Sequence, residues 1–163
     1  LYLVDGGEDG ENIPLRPLTI RERKLDLIFV IDSSSDTNNF PSGIKLKNAV
    51  NQMQNGERYL ASNIDYTLGA PIALGCFDDS LPIIIYQANG EHSYPSNTST
   101  FKISYNESEV LGMLQNGREI FNADDDPYYK NCLGCLIMKR SFDKMPKSKV
   151  PPFCEICYEN YCH

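Results

Sequence analysis

The chain has 163 residues, a formal net charge of −7 and a hydrophobic fraction of 41%. This length suits one domain with a substantial core, and the hydrophobic fraction is that of a globular protein rather than a disordered one. The 15 lysines and arginines are scattered and form no basic stripe, which argues against a nucleic-acid partner. No apolar run reaches the roughly 18 residues that a membrane-spanning helix needs.

The first apolar run, residues 1–4, ends at Asp5 and the glycine pair Gly6-Gly7. Four apolar residues without polar alternation predict a strand that is buried on both faces. Asp5 would then lie at the carboxyl end of this strand, and the two glycines would let another segment approach closely. A simple strand-to-turn transition is the alternative interpretation of the same residues. Because the chain starts within a predicted strand, we expect it to be a fragment of a longer protein.

The patterns along the rest of the chain predict two more strands and two helices. The predicted strands are residues 25–31 and 83–86, the predicted helices are residues 44–53 and 107–121, and residues 69–82 form a loop-rich connection. Strands that alternate with helices indicate an α/β fold with at least part of a parallel sheet. We treat residues 1–163 as a single unit that ends in a cysteine-rich tail, residues 127–163.

The second predicted helix, residues 107–121, has a start signal and an apolar stripe. Ser104 or Asn106 could begin it, since serine and asparagine are favoured at helix N-caps. Its stripe consists of Val110, Leu111, Leu114 and Ile120.

The cysteines and the glycosylation sequons indicate an oxidising compartment. The six cysteines are Cys76, Cys132, Cys135, Cys154, Cys157 and Cys162, and the sequons begin at Asn97 and Asn106. Together they favour a secreted or cell-surface glycoprotein. Two C-x2-C pairs with 18 residues between them also fit a zinc ribbon. Zinc would leave two cysteines unexplained, whereas three disulfides use all six, so we expect disulfides and no metal, with the pairing left open.

The second predicted strand ends in residues 32–36, DSSSD, which partly resembles the D-x-S-x-S metal site of von Willebrand type A-like domains. Asp36 stands where that pattern has a serine. A polar strand end that caps the next element is the simpler interpretation. The alternative is a non-catalytic extracellular binding domain in which Asp32, Ser34 and Asp36 hold a divalent cation.

Several stretches resemble the C-terminal part of fungal lysophospholipases (phospholipase B), relatives of the cytosolic phospholipases with patatin-like catalytic cores. The two longest are residues 3–15, LVDGGEDGENIPL, and residues 26–34, DLIFVIDSS. The likeness continues through residues 86–89 (YQAN), 99–101 (STF), 115–117 (QNG), 132–135 (CLGC) and 154–162 (CEICYENYC). It therefore covers almost the whole chain.

The resemblance implies part of a patatin-like mixed sheet and hydrolysis of acyl esters by a Ser-Asp dyad. The dyad aspartate of that family lies in a D-G-G or D-S-G turn, which maps onto Asp5, with Gly6 and Gly7 completing the active-site turn. The serine lies in a G-x-S-G-G elbow, which does not occur in these 163 residues. The only histidines, His92 and His163, are not placed for a Ser-His-Asp triad.

The chain therefore looks like the aspartate-bearing part of an enzyme that is inactive without a serine-bearing N-terminal segment. The implied substrates are phospholipids and lysophospholipids at a membrane or micelle surface, and no cofactor is implied. An isolated aspartate, with a pKa of about 3.9, is a poor base for a serine hydroxyl in water. Desolvation in a lipid-accepting pocket would raise that pKa. Asp32 and its neighbouring serines match the family's pattern too, and we interpret them as structural support.

Overall fold

The computed structural model describes residues 3, 6, 7, 10–34, 36, 40–59, 71–96, 98, 99, 101–123 and 126–163. These residues form a mixed α/β structure with one three-stranded sheet and four α-helices. The strands are β1 (Leu27–Asp32), β2 (Ile72–Leu74) and β3 (Ile83–Ala88). The helices are α1 (Ile44–Asn51), α2 (Glu107–Asn122), α3 (Tyr129–Phe142) and α4 (Pro152–Tyr161). No helix within these ranges is long and apolar enough to cross a membrane.

β3 is the central strand of the sheet, whose order is β1-β3-β2. It runs parallel to β1, with Leu27 opposite Ile83 and Asp32 opposite Ala88, and antiparallel to β2. All six residues of β3 are buried, as expected for a central strand that is covered on both faces. The parallel pair confirms the α/β class that the alternation of strands and helices predicts.

The sheet separates two hydrophobic layers, because successive side chains of a strand point to opposite faces. One layer joins alternate residues of β1 and β3 to α1 and to the segment before β1: Ile13, Leu15, Ile28, Val30, Leu46, Val50, Ile84 and Tyr86. The other joins the remaining β3 residues to the tail: Ile83, Ile85, Tyr129, Leu136, Tyr158 and the six cysteines. The tail is therefore part of the core rather than an appendage.

Three disulfides pair all six cysteines, as expected. Cys132 pairs with Cys157 and Cys135 pairs with Cys154, while Cys76 pairs with Cys162. Residues three apart lie on the same side of a helix, so each C-x2-C pair presents two sulfurs to the other helix. The first two disulfides therefore join α3 to an antiparallel α4. The third fixes the chain's end beside β2, where His163 N also donates to Ala73 O at 2.9 Å.

Arg140 of α3 holds the connection between β2 and β3. Only 6% of the residue is exposed, and its guanidinium donates to four backbone carbonyls. The acceptors are the oxygens of Gly75, Cys76, Asp78 and Leu81, at 2.6–3.0 Å. A buried charge is tolerated only when it is well hydrogen-bonded, and these carbonyls accept from both terminal nitrogens of the guanidinium. Arg140 therefore fixes a connection that has little regular structure of its own.

The structure corrects one of the sequence predictions and leaves another outside the described residues. The connection at 69–82 contains β2, a strand of three residues that is too short to produce a periodic pattern. The apolar stripe of α2 is not packed on the core: Leu111 is 57% and Leu114 is 65% exposed. Of the residues in α2, only Asn116 is buried. The strand predicted for residues 1–4 falls outside the described residues, apart from Leu3.

Candidate functional site

A pocket of about 430 Å³ lies at the carboxyl end of β1. Gly6 and Gly7 line one side of it together with residues 11–14, and residues 31–34 line the other. Open α/β sheets place ligands at the carboxyl ends of their strands, so the location suits an active site. The Gly6-Gly7 turn and the Asp32 strand end, both of which stand out in the sequence, thus meet at one pocket.

A larger cavity, of about 830 Å³, opens at the opposite end of the sheet, where Asp26 precedes β1 and Pro82 precedes β3. Arg21, Lys24 and Glu22 are among its charged lining residues. It contains none of the predicted site residues and lies at the amino ends of the parallel strands. We therefore place the candidate site at the smaller pocket, where position and sequence agree.

Gly6 and Gly7 form a tight turn that leads into the core. Glu11 N donates to Gly6 O at 2.7 Å, and Gly10 N donates to Gly7 O at 3.1 Å. A Cβ atom on Gly6 would lie 2.8 Å from Glu11 O, so a larger residue would force this turn open. Ile13, two residues later, is buried in the first hydrophobic layer and anchors the turn. Glycine at position 6 is therefore required by the local backbone.

Asp32, at the end of β1, is buried and doubly hydrogen-bonded. The Tyr86 hydroxyl donates to its Oδ2 at 2.8 Å, and the Ser34 backbone N donates to its Oδ1 at 2.9 Å. Only 2% of Asp32 is exposed. Hydrogen bonds from two donors are what a buried carboxylate needs. Asp32 therefore fixes the strand end, which agrees with its interpretation as structural support.

Asn89, one residue beyond β3, continues this network toward the pocket. Its backbone N donates to Asp32 O at 2.7 Å, and its Nδ2 donates to Ser33 Oγ at 3.2 Å. Its Oδ1 is buried and accepts no hydrogen bond from any residue that the structure describes. Ser33 itself is exposed and lines the pocket. The ends of β1 and β3 are thus tied together beside the candidate site.

The buried Asn116 of α2 organises the loop that follows β3. Its Oδ1 accepts hydrogen bonds from three successive backbone N–H groups, those of His92, Ser93 and Tyr94, at 2.8–3.2 Å. Its Nδ2 donates to Gly90 O at 2.9 Å. The Asn116 side chain thus provides the hydrogen bonds that these backbone groups would otherwise form within a helix or a sheet. Tyr86 and Asn116 are structural supports near the candidate site that sequence reasoning missed, although both lie in stretches that carry the family resemblance.

The two histidines remain unsuited to a triad. His92 Nε2 lies 3.9 Å from Glu119 Oε2, on the side of the sheet that α2 covers. Hydrogen bonds from Ser93 and Gln115 hold the pKa of the Glu119 carboxyl below its ordinary value. His163 is the last residue, beside β2, and is exposed. Neither histidine lines the 430 Å³ pocket.

The cation-binding alternative gains no support from the residues described. Asp36 accepts hydrogen bonds from the hydroxyl and the backbone N of Ser42, at 2.6 and 2.9 Å, and these lower the pKa of its carboxyl. Asp32 is likewise engaged by Tyr86. Within the described part of the chain, no group of three or more His, Cys, Asp or Glu side chains could hold a metal ion. The zinc alternative is wrong for these cysteines, because they are paired with one another.

Two predicted site residues, Asp5 and Asn97, lie outside the described residues. The structure does describe the neighbours of Asp5 on one side, Gly6 and Gly7, and these line the pocket. It also describes Asn106, the second sequon residue, which is exposed as expected for a glycosylation site. The roles of Asp5 and of both sequons stay predictions.

Comparison with known proteins assigns the family. Residues 1–67 and 72–163 match the lysophospholipase catalytic domain. The chain belongs to this family. It is 54% identical to a Saccharomyces cerevisiae protein named "Putative meiotic phospholipase SPO1" over 172 residues, which cover 100% of this chain. It is 40% identical to lysophospholipase 1 of the same yeast over 184 residues, and 36% identical to lysophospholipase 1 of Candida albicans over 186 residues, each covering 99% of this chain.

These relatives are much longer than this lysophospholipase-family chain. It spans 27% of the length of the first two relatives and 30% of the third. No solved structure matches the chain. The family resemblance predicted from the DGG turn and the flanking motifs is thereby confirmed, whereas the patatin-like architecture stays a prediction.

Proposed function

We propose that this chain is the aspartate-bearing part of an enzyme that hydrolyses acyl esters of lysophospholipids and phospholipids, with Asp5 in a Ser-Asp dyad. One observation carries the proposal: the Gly6-Gly7 turn, which directly follows Asp5, meets the carboxyl end of β1 at a pocket. Membership of the lysophospholipase catalytic domain family supports the reaction class. The sheet described above would then be one part of a larger, patatin-like sheet.

In this proposal a serine from an N-terminal segment of the same enzyme is the nucleophile. The Asp5 carboxylate takes the hydroxyl proton while the serine oxygen attacks the ester carbonyl carbon. The resulting oxyanion collapses, the glycerol oxygen leaves, and Asp5 returns the proton to it. Water then attacks the acyl-serine and gives a proton to Asp5. As the second tetrahedral intermediate collapses, Asp5 passes that proton to the departing serine oxygen, which releases the fatty acid and restores the serine hydroxyl and the Asp5 carboxylate.

The lining of the pocket suits a lipid ester and an aspartate base. Ile13, Pro14 and Ile31 give it apolar surface, and Ile31 is 54% exposed there. An acyl chain or glycerol backbone that covers these side chains would remove water from the site. Loss of water raises the pKa of a carboxylate, which makes it a stronger base toward a hydroxyl. The family gives no reason to expect a cofactor in this reaction.

A fluorophosphonate, a reagent that reacts with nucleophilic serines, tests whether the nucleophile lies in the other segment and whether Asp5 activates it. The reagent should label the intact native protein on a serine outside residues 1–163, and Asp5→Asn should slow the labelling. Asp26→Asn, a substitution at the opposite end of β1, is the matched control and should label at the rate of the unaltered protein. Label on Ser33, Ser34 or Ser35 would contradict the proposal, because the nucleophile would then lie in this chain.

We also propose that the enzyme works outside the cell or at the cell surface, as a glycoprotein. The three disulfides favour an oxidising compartment. Asn106 stands in an Asn-x-Ser sequon and is exposed. A secreted or surface-bound enzyme would meet its substrates in membranes or micelles. Treatment of the native protein with a glycosidase should lower its mass and convert Asn97 and Asn106 to aspartate.

A further inference from the structure

The helix α2 has an apolar face that is largely exposed, although at its C-terminal end Phe121 packs against Phe29 of β1, with the ring centroids 6.0 Å apart. Val110, Leu114 and Phe121 are 40%, 65% and 50% exposed, and their spacing puts them on one side of the helix together with Gly117. Leu111, 57% exposed, borders this side. We call Val110, Leu111, Leu114, Gly117 and Phe121 the outer α2 face.

On the opposite side of α2, several of the contacts with the sheet and its loops are made by polar and small residues. Asn116 binds the loop after β3, and the Tyr94 ring packs closely against Gly112. Gln87 of β3 donates to Ile120 O at 2.8 Å. A surface helix normally turns its apolar stripe inward and its polar side outward. In α2 the side chains of Val110, Leu111 and Leu114 face outward instead, so burial within the described residues does not explain this part of the apolar stripe.

Gly117 lies in the middle of the outer α2 face and has no reason to be glycine within the described residues. A Cβ atom there would meet none of their atoms within 4 Å, and no positive φ is recorded at this position. Glycine weakens a helix interior relative to alanine. A glycine inside an apolar stripe instead permits close approach by another backbone. A fluid lipid surface gains nothing from such a gap, whereas a packed protein segment does.

The outer α2 face lies toward the edge of the sheet that carries the candidate site. Ile120 is level with Gln87 near the end of β3, and Asn116 is level with Gly90 beyond that end. The helix therefore extends past the carboxyl edge of the sheet as it is followed from Asn116 back to Glu107. The pocket lined by Gly6 and Asp32 opens at the same edge.

We propose that the outer α2 face is the docking surface for the serine-bearing segment of the same enzyme. This inference rests on the proposed function, which requires a serine from another segment. The chain spans only 27% of the length of the two yeast relatives compared above, so the proposed partner segment has ample length to cover the face. Docking beside the carboxyl edge would also hold that segment where its serine can reach the Asp5 turn.

The reactivity of one introduced thiol tests this surface in the intact native protein. All six native cysteines of this chain are in disulfides, so Leu114→Cys adds one new thiol to it. The matched control is Ile44→Cys in α1, because Ile44 is 57% exposed and lies on another surface. Each variant is treated with a thiol reagent, with and without phosphatidylcholine vesicles, and its rate is corrected for the unaltered protein.

If the face is covered by protein, Leu114→Cys should react at least about tenfold more slowly than Ile44→Cys, because thiol reactivity follows exposure. The difference should not depend on vesicles or on protein concentration. Equal rates would overturn the proposal. Protection that appears only with vesicles would assign the face to lipid, and protection that grows with protein concentration would assign it to a second copy; either would overturn it.

Gly117→Ala provides a second readout, because it should shift the unfolding midpoint in opposite directions when the outer α2 face is open and when it is covered by another segment. Alanine is the better helix former, so the substitution should raise the unfolding midpoint of the intact protein if the position is open. If another segment approaches closely, the added methyl group should lower the midpoint. A rise would contradict the proposal. Neither readout uses turnover, so a failure of the Asp5 hypothesis in activity assays would leave these results interpretable on their own.

Discussion

The hydroxyl of Tyr86 donates a hydrogen bond to Oδ2 of Asp32 across the parallel pair of β3 and β1, at 2.8 Å. Both side chains are buried, and Asp32 also receives the backbone N–H of Ser34. The bond lies beneath the strand end that lines the candidate pocket. It therefore connects the core of the sheet to the geometry of the site without requiring either residue to touch a substrate.

Tyr86→Phe should destabilise the protein by about 1–3 kcal/mol, because it leaves a buried carboxylate oxygen without its donor. Urea unfolding followed by circular dichroism measures this free energy. Tyr128→Phe is the matched control, since Tyr128 is 64% exposed and its loss of a hydroxyl should change stability little. Equal stability of the two variants would show that the bond to Asp32 contributes nothing to the fold.

Arg140→Lys should destabilise the protein by at least about 3 kcal/mol, because a buried charge would remain while most of its hydrogen bonds are lost. A lysine has one charged nitrogen and cannot reproduce the guanidinium contacts to four carbonyls. Arg23→Lys, at an exposed position in the turn before β1, is the control. Chemical denaturation measures the free energy of unfolding of both variants. A loss below about 1 kcal/mol for Arg140→Lys would contradict the role of Arg140 in fixing the connection between β2 and β3.

The disulfides should differ in their contributions. Cys76–Cys162 joins residues 86 apart, whereas Cys135–Cys154 joins residues 19 apart in helices that Cys132–Cys157 already holds together. The paired change Cys76→Ser and Cys162→Ser should therefore cost about 1–2 kcal/mol more than Cys135→Ser and Cys154→Ser, by the loop-entropy argument. Thermal unfolding of the two double variants compares them. The reverse order would show that loop length does not control these contributions.

Asn106 should serve both as a helix cap and as a glycan carrier, because the two roles use different atoms. Its Oδ1 accepts from Glu109 N at 3.0 Å in a capping box, whereas a glycan would attach to Nδ2. Asn106→Asp should therefore remove the glycan mass and keep the cap. Asn106→Ala should remove both and cost about 1 kcal/mol of stability. Intact mass and thermal unfolding give the two readouts, and an unchanged mass in both variants would refute glycosylation at this site.

The sequence alone predicts the regular elements well where hydrophobic periodicity is long. The second helix is predicted at 107–121 and observed at Glu107–Asn122, because its N-cap signal and its length are both strong. β2 escapes prediction because three residues carry no periodicity. The apolar stripe of α2 predicts a helix correctly but not what the stripe contacts, since periodicity identifies an apolar face and not what covers it.

The sequence predicts which residue types form the candidate site, but it predicts only part of their arrangement in space. The Gly6-Gly7 turn and the Asp32 strand end are visible in the sequence, yet only the fold brings them to one pocket. The tyrosine and the asparagine that support the site, Tyr86 and Asn116, act through contacts between residues far apart in the chain. No local pattern could reveal those contacts. The number of disulfides follows from the cysteine count, whereas their pairing needed the antiparallel arrangement of α3 and α4.

The most direct test of the account is the turnover of Asp5→Asn beside that of Asp32→Asn, measured in the intact native protein with a lysophospholipid substrate. The substitution at position 5 would keep the shape of the side chain but not its basicity. Asp5→Asn should therefore lower the rate by about 10²–10⁴-fold with little change in the unfolding midpoint. Asp32→Asn should lower the midpoint and retain most of the turnover. Near-normal turnover in Asp5→Asn, together with its loss in Asp32→Asn, would contradict the account and move the catalytic aspartate to the end of β1.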